Sequence, residues 1–492
     1  METDWCQWLA EGLIGNGCQY ISIALEEGSD HVCDLINQAA ERLHFPLQAE
    51  QTISEKIGYE VALTYSYGKK RSAFLTHGFS LPVAMDPLMS SIYTGVAGGF
   101  VIITLDTTPP LPYSSYSDPV SLAMFAKMPV LELSDFNQLP TGIKQAFTLS
   151  EKYETPVMLH LDAKIPKGPY THSWKTGKKR RADFEKNPAR WAATPRFRFL
   201  LHKKLNQRLK DIAESDTKDL IRRVEGDKTE MGIVCNHANL SFIEPWAQRH
   251  GIPVLSVAMP FPLPAEPIRQ FIASVKKTII IEDRFPTMQF QLPERKRILG
   301  RMTDARLRQE FSWQKEPLLS ALDEIRGGKK KSAETVPSTS DTEGALSSLT
   351  HLLGNLKKKS PSLVLVADKT PLTAGLPADH FVSRGGAISF AAGVFHAESP
   401  EPTTPVLGVT DSAALLHYGM QATTNAVYNT ASVKCILLIH PEHAQAVHAF
   451  LDAMEHVAVV PIKPNARNAL KKIEEPPSQP VTFYTLSTEE AA

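Results

Sequence analysis

The chain has 492 residues, 42% of them hydrophobic and 22% charged, with 53 Lys and Arg against 53 Asp and Glu. That length is too great for one core and points to about three domains of an ordinary globular protein, while the balanced charge excludes an overall field for nucleic acid or an anionic membrane. No apolar run reaches the roughly 18 residues needed to span a bilayer, no hydrophobic segment follows the acidic start at Glu2 and Asp4, and a cytoplasmic location is expected.

Periodicity predicts a strand at 19–25, a helix at 30–43 and a second helix at 54–67 with Ser54 as N-cap. Strands follow at 72–76, 100–105, 129–133 and 155–161, with a helix at 81–93 between the first two. Strands alternating with helices specify a parallel sheet covered on both faces. The fold class is therefore α/β, with doubly wound parallel-sheet domains. The first spans 1–172, and its Thr-, Pro-, Tyr- and Ser-rich stretch 106–117 is a candidate ligand loop.

From 171 to about 222 a charged crossing leads into a helix at 199–212, and strands at 232–235, 253–257 and 278–282 form a smaller α/β domain ending near 326. The basic clusters Lys178-Lys179-Arg180-Arg181, Lys329-Lys330-Lys331 and Lys357-Lys358-Lys359 read as solvated linker charge. Residues 327–345 read as a flexible linker, 346–473 as a third domain with strands at 362–366, 406–410, 434–439 and 457–462, and 474–492 as a tail that is a poor core former. The five scattered cysteines, none in a C-x-x-C pair, argue against a disulfide framework, a zinc site and an iron–sulfur cluster.

The stretch Gly408-Val409-Thr410-Asp411-Ser412 ends the predicted strand at 406–410, with Asn425-Ala426-Val427-Tyr428-Asn429 about a helix later. A carboxylate at a strand end beside a helix start can hold a divalent cation against a cofactor diphosphate, or it can cap the helix.

Several collinear motifs carry a resemblance. They are Ser54-Glu55-Lys56 through Glu60-Val61-Ala62, Thr76-His77-Gly78, Tyr93-Thr94-Gly95-Val96-Ala97-Gly98-Gly99 and Met128-Pro129-Val130-Leu131-Glu132. Pro260-Phe261-Pro262-Leu263-Pro264, Arg384-Gly385-Gly386-Ala387-Ile388 through Gly393, and Thr410-Asp411-Ser412 continue it. Together they resemble the alpha subunits of indolepyruvate:ferredoxin oxidoreductase, in the thiamine-diphosphate-dependent 2-oxoacid:ferredoxin oxidoreductase family, in a shortened form.

The resemblance implies three domains of the thiamine-diphosphate-binding type and a cofactor whose ring serves as electron sink for a 2-oxoacid. Glu55 would be the carboxyl against the aminopyrimidine, or else a first-turn helix glutamate favoured by the dipole. Gly408, Asp411, Ser412, Asn425 and Asn429 would contact the cofactor, with Asp411 on a magnesium ion.

Departures from the pattern are equally concrete. Thr410 replaces a glycine, and Ile439-His440-Pro441 stands where the family has Asp-Asn; His440 could ligate a metal, although hard Mg²⁺ prefers oxygen. Glu26 and Glu27 stand where the family has a Tyr-Pro-Gly-Thr-Pro turn, and both the Cys-Pro-Gly-Cys motif and the ferredoxin-like segment are missing. Electrons would then leave through a partner subunit or a ferredoxin-type acceptor, with a homodimer as another arrangement. Three readings stand: a thiamine-dependent 2-oxoacid oxidoreductase subunit of weakened or altered activity, a silent relative serving as scaffold, and a non-oxidative 2-oxoacid decarboxylase.

Overall fold

Three sheets account for the architecture. The computed structural model describes residues 4–25, 28–106, 118–166, 175–192, 194–215, 218–293, 297–307, 312–327, 346–398, 403–464 and 468–491. These fall into two compact units, one up to residue 327 and one from residue 346. Glu26, Glu27, residues 107–117 of the candidate ligand loop and residues 328–345 of the expected linker lie outside the described residues.

In the first unit, β1 (Cys18–Ala24), β2 (Gln48–Gln51), β3 (Arg71–His77), β4 (Phe100–Asp106), β5 (Val130–Glu132) and β6 (Val157–Asp162) form one sheet in the order β2-β1-β3-β4-β6-β5. Every pairing is parallel. Parallel strands buried on both faces read as continuous apolar runs, and Phe100–Asp106 is such a run. Ile21, Ile23, Ala73 and Leu75 pack with Val32 and Ile36 of the helix Ser29–Arg42, while Tyr20 and Phe74 pack with Tyr59, Ala62 and Leu63 of the helix Glu55–Tyr67. The two helices therefore cover opposite faces, and the winding reverses between β1 and β3.

The second sheet of this unit comprises β7 (Ile221–Val224), β8 (Met231–Asn236), β9 (Val254–Val257), β10 (Lys277–Ile281) and β11 (Ile298–Leu299), in the order β11-β10-β8-β9-β7. It is parallel except for β7, which runs antiparallel along β9 as an edge strand. Sequence periodicity gave no sign of β7, because Ile221-Arg222-Arg223-Val224 exposes both arginines. The two sheets of the unit meet where Val130 N–H donates to Phe261 O (2.7 Å) and Glu132 N–H to Ala258 O (2.7 Å).

The second unit holds β12 (Val364–Asp368), β13 (His380–Val382), β14 (Val406–Asp411), β15 (Val433–Ile439), β16 (Val457–Pro461) and β17 (Val481–Ser487), ordered β13-β12-β14-β15-β17-β16 and parallel throughout. Leucines of the helix Ser347–Lys359 cover one face, and Ile388, Ala391 and Ala392 of the helix Gly386–Ala397 cover the other. Residues 474–492, expected to be a tail, instead supply β17, whose Val481, Phe483, Tyr484 and Leu486 are buried between β15 and β16. Pro476, Pro477 and Pro480 mark the connection into this strand; they do not interrupt it.

Among the described residues no helix is long and apolar enough to cross a membrane. All five cysteines are buried and free. Burial pushes the thiols of Cys18, Cys33 and Cys235 up to about 12, which keeps them protonated and inert.

Candidate functional site

In open α/β sheets ligands gather beyond the carboxyl ends of the strands, where the winding reverses. In the first sheet that point lies between β1 and β3, where Thr76 Oγ1 donates to Ala24 O at 3.1 Å. Glu55 opens its helix at the same edge, just after β2, and is 1% exposed. Gly58 sets how closely this helix seats. A Cβ there would stand 2.5 Å from Thr52 Cγ2 and 3.2 Å from Phe74 Cε2, and its carbonyl accepts from Ser22 Oγ at 2.7 Å. Ser54 takes the expected N-cap position with extended backbone (φ −147°), although its side chain makes no capping hydrogen bond.

A second set of buried charges lies between the two sheets of this unit. Asp283, just beyond β10, accepts from Lys164 Nζ (2.6 Å), Asn239 Nδ2 (2.9 Å), Asn236 Nδ2 (3.1 Å) and the Trp313 N–H (2.7 Å). Burial alone would raise its pKa, but the Lys164 ammonium and its hydrogen bond, then Arg284 and the Trp313 N–H, hold it well below the usual carboxylate range. Arg284 pairs with Asp106 at the end of β4, and His160 Nε2 stands 3.5 Å from the same carboxylate. Burial and then the Arg284 charge push His160 down to about 4, so its ring is neutral. Glu132 is pushed up to about 8, by burial first and the Asp283 charge second, and its Oε2 has no hydrogen-bond partner.

In the second unit the winding reverses between β12 and β14. Asp368 ends β12 and is fully buried. Its Oδ2 accepts the Gly385 N–H (2.9 Å), its Oδ1 accepts the Ala387 N–H (2.7 Å), and the Thr410 hydroxyl also donates to Oδ2. Burial pushes Asp368 up to about 7 against the pull of these donors, with Asp411 adding to the rise. Asp411 ends β14, is 2% exposed, and its Oδ1 accepts the Ala414 N–H at 2.8 Å. In this conformation it is a helix cap.

Ser412 Oγ accepts the His440 N–H (3.0 Å) and lies 3.0 Å from His443 Nδ1. The His440 ring is about half exposed and stands 3.4 Å from Glu442 Oε1. Thus Asp411, Ser412 and His440 gather at one edge. Among the described residues, however, no group of three or more His, Cys, Asp or Glu side chains could hold a metal ion.

The remaining expected site residues are elsewhere. Gly408 lies inside β14, where a Cβ would meet Cys435 Sγ at 3.0 Å; it serves packing between strands and faces no loop. Asn425 and Asn429 are exposed at the C-terminal end of the helix Met420–Tyr428 and bond to each other, Asn429 Nδ2 to Asn425 Oδ1 at 3.0 Å. A helix following a parallel strand runs back along it. Some 14 to 18 residues at about 1.5 Å each carry these asparagines roughly 20 Å or more from the Asp411 edge.

Sequence reasoning missed Asp368. The signal was available, since Ala367-Asp368 closes the strand predicted at 362–366 as Asp411 closes its own.

No protein-family model matches the chain. The indolepyruvate oxidoreductase subunit IorA of Pyrococcus abyssi is 27% identical over 293 residues, covering 57% of this chain and 44% of the relative. The subunit of the same name from Methanothermobacter marburgensis is 23% identical over 445 residues, covering 83% and 70%. The chain resembles the IorA-type 2-oxoacid oxidoreductase family. Among solved structures, a 2-oxoglutarate:ferredoxin oxidoreductase from Magnetococcus marinus aligns with 65% of this chain and 64% of its own, at 14% identity and a TM-score of 0.49. The match to the Pyrococcus IorA spans less than half of that relative's length.

The IorA resemblance assigns the Arg384–Gly393 stretch and Asp411 to a diphosphate and its metal. The residues present do not fit that group. The Gly385 and Ala387 amides already serve Asp368, Asp411 Oδ1 serves Ala414, and Ser412 serves the loop that follows β15.

Proposed function

We propose that this chain acts as a subunit of a 2-oxoacid:ferredoxin oxidoreductase-type assembly, on an indolepyruvate-like 2-oxoacid, with its own catalytic share weakened or altered. The observation that carries this reading is the collinear likeness to IorA subunits, which runs over up to 83% of the chain and through both units. The relatives are named as subunits, which supports a partner chain completing the assembly.

Glu55 is our candidate acid–base residue. It is a buried carboxyl at a helix N-terminus, at the sheet edge where ligands gather, which is where a proton-transferring group would stand. Thiamine diphosphate, which the resemblance would imply, finds support in this Glu55 placement, and magnesium finds none among the described residues at the Asp411 edge.

The test is purification of the tagged full-length chain from its native cells, followed by indolepyruvate-dependent reduction of a viologen dye. A co-purifying partner and 2-oxoacid-dependent reduction are expected, with Glu55→Gln lowering the rate by about 10²–10⁴ and leaving association intact. Absence of any 2-oxoacid-dependent turnover would remove the enzymatic reading. A complex whose turnover ignores Glu55→Gln would instead favour the scaffold reading, which the filled Asp368 position supports. Carbon dioxide release without an electron acceptor would favour a decarboxylase.

A further inference from the structure

Two backbone N–H groups at the start of a twelve-residue helix, aimed at one point where the winding of a parallel sheet reverses, make a place for an anion. In this chain the anion is covalently supplied. Gly385 adopts φ +74°, and a Cβ on it would stand 2.5 Å from Gly419 N, so the turn that aims the amides is tightly held by the backbone behind it. The two Asp368 oxygens take one amide each, and the Thr410 hydroxyl, which stands where the family has glycine, adds a third donor. The carboxylate is fully buried, with a second carboxylate, Asp411, at the end of the neighbouring strand. A diphosphate brought here would have to displace a fitted internal anion and then face two acidic side chains.

We propose that Asp368 is an internal anion that closes the phosphate position of the third sheet, so that this chain by itself takes no diphosphate there. The inference rests on the reading above only for the expectation that a diphosphate belongs at this edge. The oxidoreductase assembly can stand or fall independently of it, because association and turnover are read on the complex and anion binding on the isolated full-length chain.

Wild type, Asp368→Ala and Asp368→Asn are titrated with inorganic pyrophosphate at pH 8, with and without Mg²⁺, by calorimetry and by thermal midpoint. Wild type shows no saturable heat at millimolar pyrophosphate. Asp368→Ala has a lowered midpoint that formate or pyrophosphate raises saturably, with an affinity for pyrophosphate at least about tenfold above any wild-type response. Asp368→Asn, which keeps the shape and loses the charge, carries the same expectation if the alanine variant does not fold; if neither folds, the wild-type titration decides alone. Saturable sub-millimolar binding of pyrophosphate or thiamine diphosphate by wild type overturns the inference. So does a folded variant that gains no anion response.

Discussion

Replacing Lys164 by Met would leave Asp283 buried with its main counter-charge gone. In the native protein four donors converge on this carboxylate, from the loop after β6, from two asparagines at and beyond the end of β8, and from the Trp313 backbone. Removing one partner of a buried ion pair costs about 3–5 kcal/mol, because the remaining charge keeps its desolvation penalty without its attraction. For a cooperative unit of some 300 residues that corresponds to a fall in the midpoint of roughly 5–8 °C.

Asp283→Asn should cost a similar amount at pH 7, measured by urea unfolding and calorimetry. The Asp283 pKa is lowered in the folded state, so its stabilisation is complete above the unfolded carboxylate value near 4 and is lost as pH falls toward about 2. The gap between wild type and Asp283→Asn should therefore be full at pH 7 and narrow on acidification through that window. The double variant Lys164→Met/Asp283→Asn, which removes both charges and keeps an acceptor for the remaining donors, should recover much of the loss. Single variants within about 1 kcal/mol of wild type, or a double variant as unstable as the sum of the singles, would refute the idea that the pair is one coupled lock.

Glu132→Gln tests the opposite sign. The folded carboxyl is pushed up to about 8, so wild type loses stability relative to the variant as pH rises from about 4 to about 8; the urea midpoint of Glu132→Gln should exceed that of wild type at pH 9 and match it near pH 4. Gly58→Ala places a methyl against Thr52 and Phe74 and should destabilise by about 1–3 kcal/mol in denaturant titration, while also shifting the helix that presents Glu55. Deleting residues 480–492 removes β17 and leaves β15 and β16 unpaired on that side. Limited proteolysis should then degrade the second unit while the first survives.

Elements whose signal is local were legible. The run Phe100-Val101-Ile102-Ile103-Thr104-Leu105 reads as a strand because both faces of a parallel strand are apolar, and it is the centre of the first sheet. Asp411 was placed at a carboxyl edge by reading where its predicted strand stops, whereas Glu55 was named only through the family resemblance, because the short strand Gln48–Gln51 before it carries no apolar run. Asn425 and Asn429 were misplaced because spacing in sequence says a helix intervenes but not that the helix carries its far end away from the edge. β17 was hidden by the three prolines that precede it. The contact between Lys164 and Asp283 spans 119 residues, and no periodicity reports a partner at that distance. Asp368 lacked only the question of what its own carboxylate would bind.

The place of β17 governs how the second unit can be assembled during synthesis. β16 precedes β17 in the chain yet pairs with nothing else in the sheet, so until β17 is in place β16 has nowhere to dock. The open flank of β15 during that interval is an edge on which another nascent chain could add. The unit thus closes only when β17 docks, and the folding interval before it does is the one most exposed to edge-to-edge association.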